Sequence, residues 1–349
     1  MGKMKIGIYD ADGHNFPSLP LMKLSAYHKQ KGDMVEFATP LALYDRVYVS
    51  RVFGDEYTDF QDFCFQAKEV FYGGTGFAIS IENGREVYKK TKDVELPPEI
   101  EHIYPDYSLY PELTKNTAFG FLTRGCPNYC GFCIVSKKEG RKSIKVANLS
   151  EFWRGQKYIK LLDANILACD KRKELLNQLI MSEARVEFTQ GLDARFITPD
   201  IAKLLRKIRV ERIHFAFDFM KNETAIIRGL KTFVEYCQLP DSKAIVYILT
   251  NYDTTIEEDV YRVNEVRKLG LMPDVRVYRK PTAPQIVIYL QRWCNNRLIF
   301  RSCEFMDYIP RKNGKTIKEL YLCQKPILTN YGWCENDKTE QALKEREKK

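Results

Sequence analysis

The stretch AFGFLTRGCPNYCGFC, residues 118–133, joins an apolar strand pattern directly to three cysteines. Cys126, Cys130 and Cys133 have the spacing CxxxCxxC. Three thiolates on one loop can ligate three irons of a 4Fe-4S cluster and leave the fourth iron open, whereas a closed structural zinc site needs four protein ligands. The stretch therefore predicts a cluster-binding loop that directly follows a strand. A zinc site completed by a distant fourth ligand, or three buried cysteines, are the alternatives.

Beyond residue 119 the chain repeats a strand pattern and then a helix pattern about six times. The strand patterns are AFGFLTRG, YIKLLDAN, RVEFTQGLD, RIHFAFD, AIVYILTN and DVRVYRK. Alternating strands and helices are typical of α/β folds with parallel strands. We expect a partial (β/α)6 barrel of the TIM type over residues 119–283, followed by a short C-terminal extension over 284–349.

The first part of the chain has the same alternation on a smaller scale. Four strand patterns, KIGIYD, MVEFA, DRVYVS and EVFYGG, accompany the helical pattern SLPLMKLSAYHKQKGD. We expect a small Rossmann-like parallel sheet over residues 1–96, so the whole chain belongs to the α/β class. Residues 97–118 contain four prolines, which favour extended chain over helix or sheet, and we interpret this segment as a linker.

Composition narrows the class of protein. With 44% hydrophobic and 13% aromatic residues in 349, the chain can bury a large core, which excludes collagenous and wholly disordered proteins. No apolar run approaches the roughly 18 residues of a membrane span, and the N-terminus has no signal-peptide pattern, so we expect a cytoplasmic protein without membrane contact. Ten cysteines then indicate metal ligands, reactive thiols or buried small apolar residues and not a disulfide framework. The net charge of +9 leaves nucleic acid open as a partner.

The cysteine stretch resembles the signature of the radical SAM enzymes, in which an aromatic residue directly precedes the third cysteine. Phe132 occupies that position. The resemblance implies that S-adenosylmethionine (SAM) chelates the open iron through its amino and carboxylate groups, with Phe132 near the adenine. An electron from a reductant such as flavodoxin or ferredoxin then cleaves SAM to methionine and a 5'-deoxyadenosyl radical. The cofactor supplies this chemistry and the protein positions it.

Polar residues end the strand patterns of the expected barrel, where catalytic residues of such folds lie. Asp163 and Asn165 end YIKLLDAN, at the position where radical SAM proteins commonly carry a Gly-Gly-Glu motif that binds the SAM amino group. The resemblance implies by position that these residues contact SAM. A carboxylate at Asp163 can accept hydrogen bonds from an ammonium. A helix N-cap is the alternative role for Asp163.

Later strand ends supply the other expected SAM contacts. Gln190, Asp193 and Arg195 follow the next strand, and the resemblance implies that Arg195 pairs with the SAM carboxylate. A salt bridge between Arg195 and Asp193 is the alternative. Asp218 and Asn251 end the two following strands, where family members often hold the ribose or adenine. Asp and Asn are also ordinary turn residues.

The N-terminal part resembles the cobalamin-binding domain of cobalamin-dependent radical SAM enzymes. Asp12 and His14 match the start of their D-x-H-x-x-G pattern, in which the His is the lower ligand of cobalt, but Pro17 replaces the Gly. Gly73 and Gly74 match the later Gly-Gly element. A domain that has lost the cofactor, or that docks substrate, is the alternative. Bound cobalamin implies methyl transfer; without it, hydrogen abstraction followed by rearrangement, oxidation or sulfur insertion remains open.

Three other hypotheses compete with this assignment. The tRNA methylthiotransferases also place an α/β domain before the core, but their first domain carries three further cysteines and this one has only Cys64. The C-terminal Cys294, Cys303, Cys323 and Cys334 could ligate a second cluster, although their spacings of 9, 20 and 11 match no compact motif. The third hypothesis is a zinc-binding nucleic-acid module without enzymatic activity.

Overall fold

The computed structural model describes residues 3–13, 16–54, 64–82, 85–311 and 314–323. Within these ranges the fold is α/β, with a parallel four-stranded sheet and a parallel six-stranded sheet. The chain divides into two compact units, Met1–His214 with Thr232–Leu239, and Phe215–Lys231 with Pro240–Lys349. None of the described helices has the length and apolar character needed to cross a bilayer.

The first sheet has the order β2-β1-β3-β4, and every strand pair in it is parallel. Its elements are β1 (Lys5–Asp10), α1 (Leu19–Gln30), β2 (Met34–Phe37), β3 (Leu43–Ser50) and β4 (Gln66–Gly73). The four predicted strands and the predicted helix are therefore confirmed. Alternate residues of β1 turn towards α1, so that Ile8 packs against Leu21 and Leu24 in a buried cluster. The opposite face of the sheet is a second apolar cluster around Val47 and Val49.

Two loops interlock at the carboxyl end of this sheet. Arg51 N donates to Gly73 O at 3.0 Å, and Gly76 N donates to Arg51 O at 2.9 Å. Gly74 lies between these contacts at φ 102° and ψ 156°, a conformation that only glycine adopts readily. A Cβ atom on Gly74 would lie 2.2 Å from Arg51 O. Packing of the two loops therefore accounts for glycine at position 74.

The segment between the sheets contains a hairpin and two short helices. Its elements are β5 (Ile79–Glu82), β6 (Arg85–Tyr88), α2 (Pro98–Glu101) and α3 (Pro111–Thr114). The expectation of extended chain after residue 97 is thus corrected, because Pro98 and Pro111 each occupy the first turn of a helix, where a missing N–H costs nothing.

Two tyrosines of this segment bond to elements on either side of it. Tyr110 Oη donates to Asp10 Oδ2 at the end of β1 at 2.7 Å. Tyr107 Oη donates to Phe152 O at 2.6 Å and accepts from Phe119 N at 3.1 Å. The segment is thereby fixed both to the first sheet and to the first strand of the second sheet.

The second sheet has the order β14-β13-β12-β11-β10-β7. The remaining elements are β7 (Thr117–Gly120), β8 (Thr123–Arg124), α4 (Val135–Lys138), β9 (Ile144–Lys145), β10 (Tyr158–Leu161), α5 (Arg172–Ser182), β11 (Arg185–Leu192), α6 (Pro199–Lys207), β12 (Arg209–Ala216), α7 (Glu223–Cys237), β13 (Ala244–Thr250), α8 (Ile256–Lys268), β14 (Met272–Val277), α9 (Gln285–Asn295), α10 (Arg297–Ser302) and α11 (Ile317–Cys323). All six strand patterns beyond residue 117 are confirmed as strands of this sheet. The first one is interrupted, since β7 ends at Gly120 and a separate pair, β8 with β9, follows it.

Each unit has its own buried interior. In the first unit, β10 pairs with β7 and β11, and Ile159 and Phe188 are buried in the sheet. In the second unit, the side chain of Arg262 is fully buried and donates to Phe217 O at 2.7 Å and to Leu249 O at 2.9 Å. It is paired there with the buried carboxylate of Asp259, so its charge is compensated.

Substitution of Gly74 by alanine tests the interlocked loops. We expect Gly74→Ala to lower the free energy of unfolding by about 2 to 4 kcal/mol, because the added methyl group meets Arg51 O in a backbone conformation that alanine avoids. Gly73→Ala is the matched control, since its Cβ would meet nothing closer than Val94 O at 4.0 Å. Urea denaturation measures both variants, and equal loss of stability would contradict this account.

Candidate functional site

The cysteine loop lies between β8 and α4 in the first unit, and all three of its thiols are half-buried. Cys126 N donates to Gly140 O at 3.2 Å, and Cys133 N donates to Cys130 O at 3.0 Å. The loop is therefore closed both within itself and against the turn after α4.

Glu139 fixes the start of this loop. Its carboxylate accepts from Arg124 Nη1 at 2.7 Å and from Gly125 N at 3.0 Å. Gly125 has φ 87°, and a Cβ atom there would lie 2.3 Å from Lys142 O. The residue before the first cysteine is thus glycine for reasons of both backbone conformation and space.

Asp163 fixes the chain just before the loop. Its buried carboxylate accepts from Leu122 N at 3.1 Å, from Thr123 N and from Thr123 Oγ1 at 2.6 Å. Burial raises the pKa of Asp163 to about 6, although these hydrogen bonds act in the opposite direction. Asp163 is not an N-cap, because the 3₁₀ turn that follows begins after Asn165, which itself makes no side-chain capping hydrogen bond. Its contact with SAM stays a prediction.

Asn165 reaches the first cysteine from the end of β10. Its side-chain Nδ2 donates to Cys126 Sγ at 3.7 Å, and its backbone O accepts from Ser143 Oγ at 2.9 Å. Asn165 is only 1% exposed, and its Oδ1 has no hydrogen-bond partner among the described residues. A buried acceptor without a partner costs about 1 to 3 kcal/mol of stability. This oxygen is therefore suited to accept a hydrogen bond from a ligand.

Asp193 and Arg195 follow β11 and bond to the loop through Asn128. Arg195 Nε and Nη2 donate to the two carboxylate oxygens of Asp193 at 2.8 and 2.6 Å. Asn128 Nδ2 donates to Asp193 Oδ2 at 3.0 Å, and Asn128 Oδ1 accepts from Arg195 Nη2. The salt bridge that the sequence left as an alternative is therefore present. It is partly shielded from water, with side-chain exposures of 8% for Asp193 and 29% for Arg195.

The charged forms of Asp193 and Arg195 stabilise each other. The hydrogen bond to Asp193 is the main cause that raises the pKa of Arg195, and the nearby thiols of Cys130 and Cys126 raise it further. Burial acts to raise the pKa of Asp193, yet its bonds to Arg195 and Asn128 hold it below the usual value. Asn128 was missed by the sequence reasoning; its position between two cysteines was the only available signal.

Of the remaining expected SAM contacts, Gln190 and Phe132 belong to the first unit, and Asp218 and Asn251 belong to the second. Gln190 is an exposed residue within β11, which continues to Leu192 instead of ending before Gln190. Phe132 is half-buried in the loop. In the second unit, Asp218 Oδ1 accepts from Leu249 N at 3.1 Å and burial raises its pKa. Asn251 has φ 62° and donates to Tyr278 O at 2.8 Å, as a turn residue does.

The residues expected to hold cobalamin have partners within the chain or lie outside the described ranges. His14 lies outside them. The carboxylate of Asp12 accepts from Val52 N at 2.6 Å and from Phe53 N at 3.2 Å. Gly74 is required by its approach to Arg51 O. These contacts explain the D-x-H and Gly-Gly resemblance in part through local packing.

The first unit also contains a cavity of about 990 Å³ that borders the base of the cysteine loop at Arg124 and Glu139. Tyr48 and Phe71 form part of its wall, with stacked rings 5.3 Å apart. Lys23 lines the same cavity, where burial lowers its pKa and Glu101 pairs with it at 2.9 Å. The volume lies within the range of small-molecule sites.

The C-terminal cysteines whose side chains lie within the described residues bond to backbone carbonyls. Cys294 is buried and donates to Pro273 O at 3.5 Å, and burial raises its pKa. Cys303 donates to Ile299 O at 3.7 Å. Cys334 and the side chain of Cys323 lie outside the described part. Across that part, no three or more His, Cys, Asp or Glu side chains are gathered as a metal ion would require, and this includes the three loop cysteines.

The pH dependence of stability tests the role of Asp163. Its pKa is about 6 in the folded protein and about 3.9 when unfolded, so its contribution to stability is fully present below pH 3.9 and is lost as the pH rises through 6. The gap between these pKa values corresponds to about 3 kcal/mol. We expect the free energy of unfolding of Asp163→Asn, relative to wild type, to rise by about 2 to 3 kcal/mol between pH 4 and 7.

Urea denaturation of the metal-free protein across this pH range makes that measurement. Asp200→Asn is the control, because this side chain is largely exposed. If Asp163→Asn and Asp200→Asn have parallel pH profiles, burial does not govern the ionisation of Asp163.

The candidate site thus consists of the cysteine loop with its own Asn128 and of the side chains that contact it. These are Asp193, Arg195 and Asn165 beside the loop and Asp163 and Glu139 at its base. No protein-family model matches this chain, and no curated protein matches it either.

Proposed function

We propose that this protein is a radical SAM enzyme, which holds a 4Fe-4S cluster through Cys126, Cys130 and Cys133 and cleaves SAM reductively. The observation that carries the proposal is the contact of two further strand ends with the CxxxCxxC loop. Asn165 reaches it from the end of β10, and Arg195 reaches it from the end of β11. Convergence of strand ends on one loop is the arrangement expected at the carboxyl rim of a parallel barrel.

The donor set suits such a cluster in its chemistry. Iron-sulfur clusters are held by thiolates, and the Arg195 guanidinium and the Asn165 amide N–H both interact with sulfurs of the loop. The sulfurs are not gathered as they would be around a bound metal. The proposal therefore includes a movement of Cys130 and Cys133 towards Cys126 on metal binding, in keeping with the general coupling of metal binding to folding.

The chain's own residues divide the remaining tasks. When bound, the cluster and SAM together supply the one-electron chemistry that produces methionine and a 5'-deoxyadenosyl radical. Asp163 and Glu139 hold the two backbone segments that lead into the loop. Asn165 Oδ1 is the buried acceptor that can receive an N–H of the SAM ammonium.

Arg195 is the expected partner of the SAM carboxylate. Its Nε and Nη2 atoms are engaged by Asp193 and Asn128, which fixes the plane of the guanidinium. Nη1 makes no hydrogen bond within the described ranges and can pair with a carboxylate of the ligand. Arg195 can thus form the salt bridge with Asp193 and contact SAM at the same time, although the sequence analysis treated these roles as alternatives.

The proposal includes a partial barrel around this site, a cytoplasmic location and a reductant such as flavodoxin or ferredoxin. The proposal does not depend on cobalamin: Gly74 and Asp12 make contacts within the chain, and His14 lies outside the described residues. The cavity beside Arg124 and Glu139 supports binding of a small molecule close to the loop.

Cysteine substitution tests the proposed function. After anaerobic reconstitution with iron and sulfide and reduction with dithionite, we expect the wild-type protein to convert SAM to 5'-deoxyadenosine. Cys126→Ala, Cys130→Ala and Cys133→Ala each remove a cluster ligand and should lower this product at least about 100-fold. Chromatography of nucleosides and iron analysis measure the two effects.

Cys64→Ala is the matched control, since this exposed thiol lies outside the loop, and it should behave as wild type. A protein that binds zinc instead of iron and forms no 5'-deoxyadenosine would contradict the proposal in favour of the nucleic-acid module. S-adenosylhomocysteine formed only when cobalamin is supplied would extend the proposal to cobalamin-dependent methyl transfer.

A further inference from the structure

Asn165 is held rigidly against the first cysteine of the loop. Its side chain is 1% exposed, and its Nδ2 lies 3.7 Å from Cys126 Sγ. Its backbone O accepts from the buried Ser143 Oγ at 2.9 Å and from Ala168 N at 3.2 Å. The two residues that follow it, Ile166 and Leu167, are fully buried. The backbone of Asn165 is therefore fixed by these contacts, and they do not depend on the partners of its side-chain amide.

We propose that Asn165 is a positioning residue that tunes the cluster through the hydrogen bond from its Nδ2 to Cys126 Sγ. This inference rests on the proposed function and adds to it a residue that sets how easily the cluster is reduced. The amide NH₂ group is the half of the side chain suited to this task, because a thiolate sulfur carries no proton and can only accept.

The direction of the effect follows from charge. Reduction adds one negative charge to the cluster, and part of it resides on the cysteine sulfurs. A hydrogen-bond donor at one sulfur stabilises the reduced state more than the oxidised state, so it raises the reduction potential. Burial strengthens the effect, since water does not compete for the sulfur at this point.

The unpartnered Oδ1 is the second observation that indicates a ligand at this residue. An amide whose NH₂ group is engaged and whose oxygen is buried without a partner is incomplete in the chain alone. A ligand that carries an N–H group beside Cys126 would complete it. Asn165 would then bond to the cluster ligand and to SAM with the two ends of one rigid side chain.

The reduction potential of the reconstituted holoenzyme tests the inference. EPR-monitored redox titration compares wild type with Asn165→Leu, which keeps the approximate volume but has no donor, and with Asn165→Gln, which keeps the donor. We expect a more negative potential for Asn165→Leu and recovery towards the wild-type value for Asn165→Gln. Asn165→Asp, which has acceptors only, should also be more negative and serves as the deciding variant if Asn165→Leu does not fold.

Two controls separate tuning from simple support of the fold. Ser143→Ala removes the bond to the Asn165 backbone but leaves its side chain, so we expect a lower melting temperature and an unchanged potential. Asn116→Leu makes the same chemical change at an exposed amide and should alter neither.

Potentials of Asn165→Leu or Asn165→Asp equal to wild type would overturn the inference and leave the proposed function intact. A shift in Ser143→Ala as large as that in Asn165→Leu would also overturn it, because backbone support would then be the cause. Absence of iron and of an EPR signal in reconstituted wild type would overturn the inference together with the proposed function.

Discussion

The buried carboxylate of Asp163 is the interaction on which the candidate site depends. β7 ends at Gly120, and the chain leaves the sheet with the N–H groups of Leu122 and Thr123 pointing into a buried region. Buried backbone donors must find acceptors, and one carboxylate from the neighbouring strand end satisfies both. The cysteine loop begins three residues later, so this side chain ties the start of the loop to the end of β10.

The cost of that arrangement is a charge held away from water, and the same pattern recurs around the loop. Arg195 and Asp193 are partly shielded and compensate each other, and Asn128 bonds to both. Asn165 contributes an amide group that is even more deeply buried. Residues about 40 to 70 positions apart meet here because parallel strands carry their carboxyl ends to one edge of a sheet. Short-range sequence patterns alone do not bring such residues together.

Much of the fold could be predicted, since apolar strand patterns separated by amphipathic segments reflect burial directly, and β1 to β4 and the strands of the second sheet follow them. The interruption between Gly120 and Thr123 could not, because an apolar run continues through it. The short helices at Pro98 and Pro111 were also missed, since proline suits either a first helical turn or extended chain, and tertiary contacts decide between them.

The site was predictable where chemistry is concentrated in side chains of one short motif. The spacing of Cys126, Cys130 and Cys133 singles them out as candidate ligands. The Asp193–Arg195 salt bridge could be expected because the two residues lie close together in the sequence. The partners of Asp163 are backbone N–H groups, which every residue except proline carries, so the sequence gives no sign of which ones lack a strand partner. Asn128 was hidden for a related reason, because an amide in a loop has many possible partners.

The tyrosines of the segment between the sheets limit how the N-terminal sheet could be replaced by another domain. Tyr110 bonds to the end of β1, while Tyr107 accepts from and donates to the backbone around β7. The four residues 107–110 therefore join the two sheets through two half-buried tyrosines. Exchange of the N-terminal sheet for another domain would leave the Tyr110 hydroxyl without its acceptor, Asp10 Oδ2. A replacement sheet would need an acceptor in the same place to keep this segment fixed at both ends.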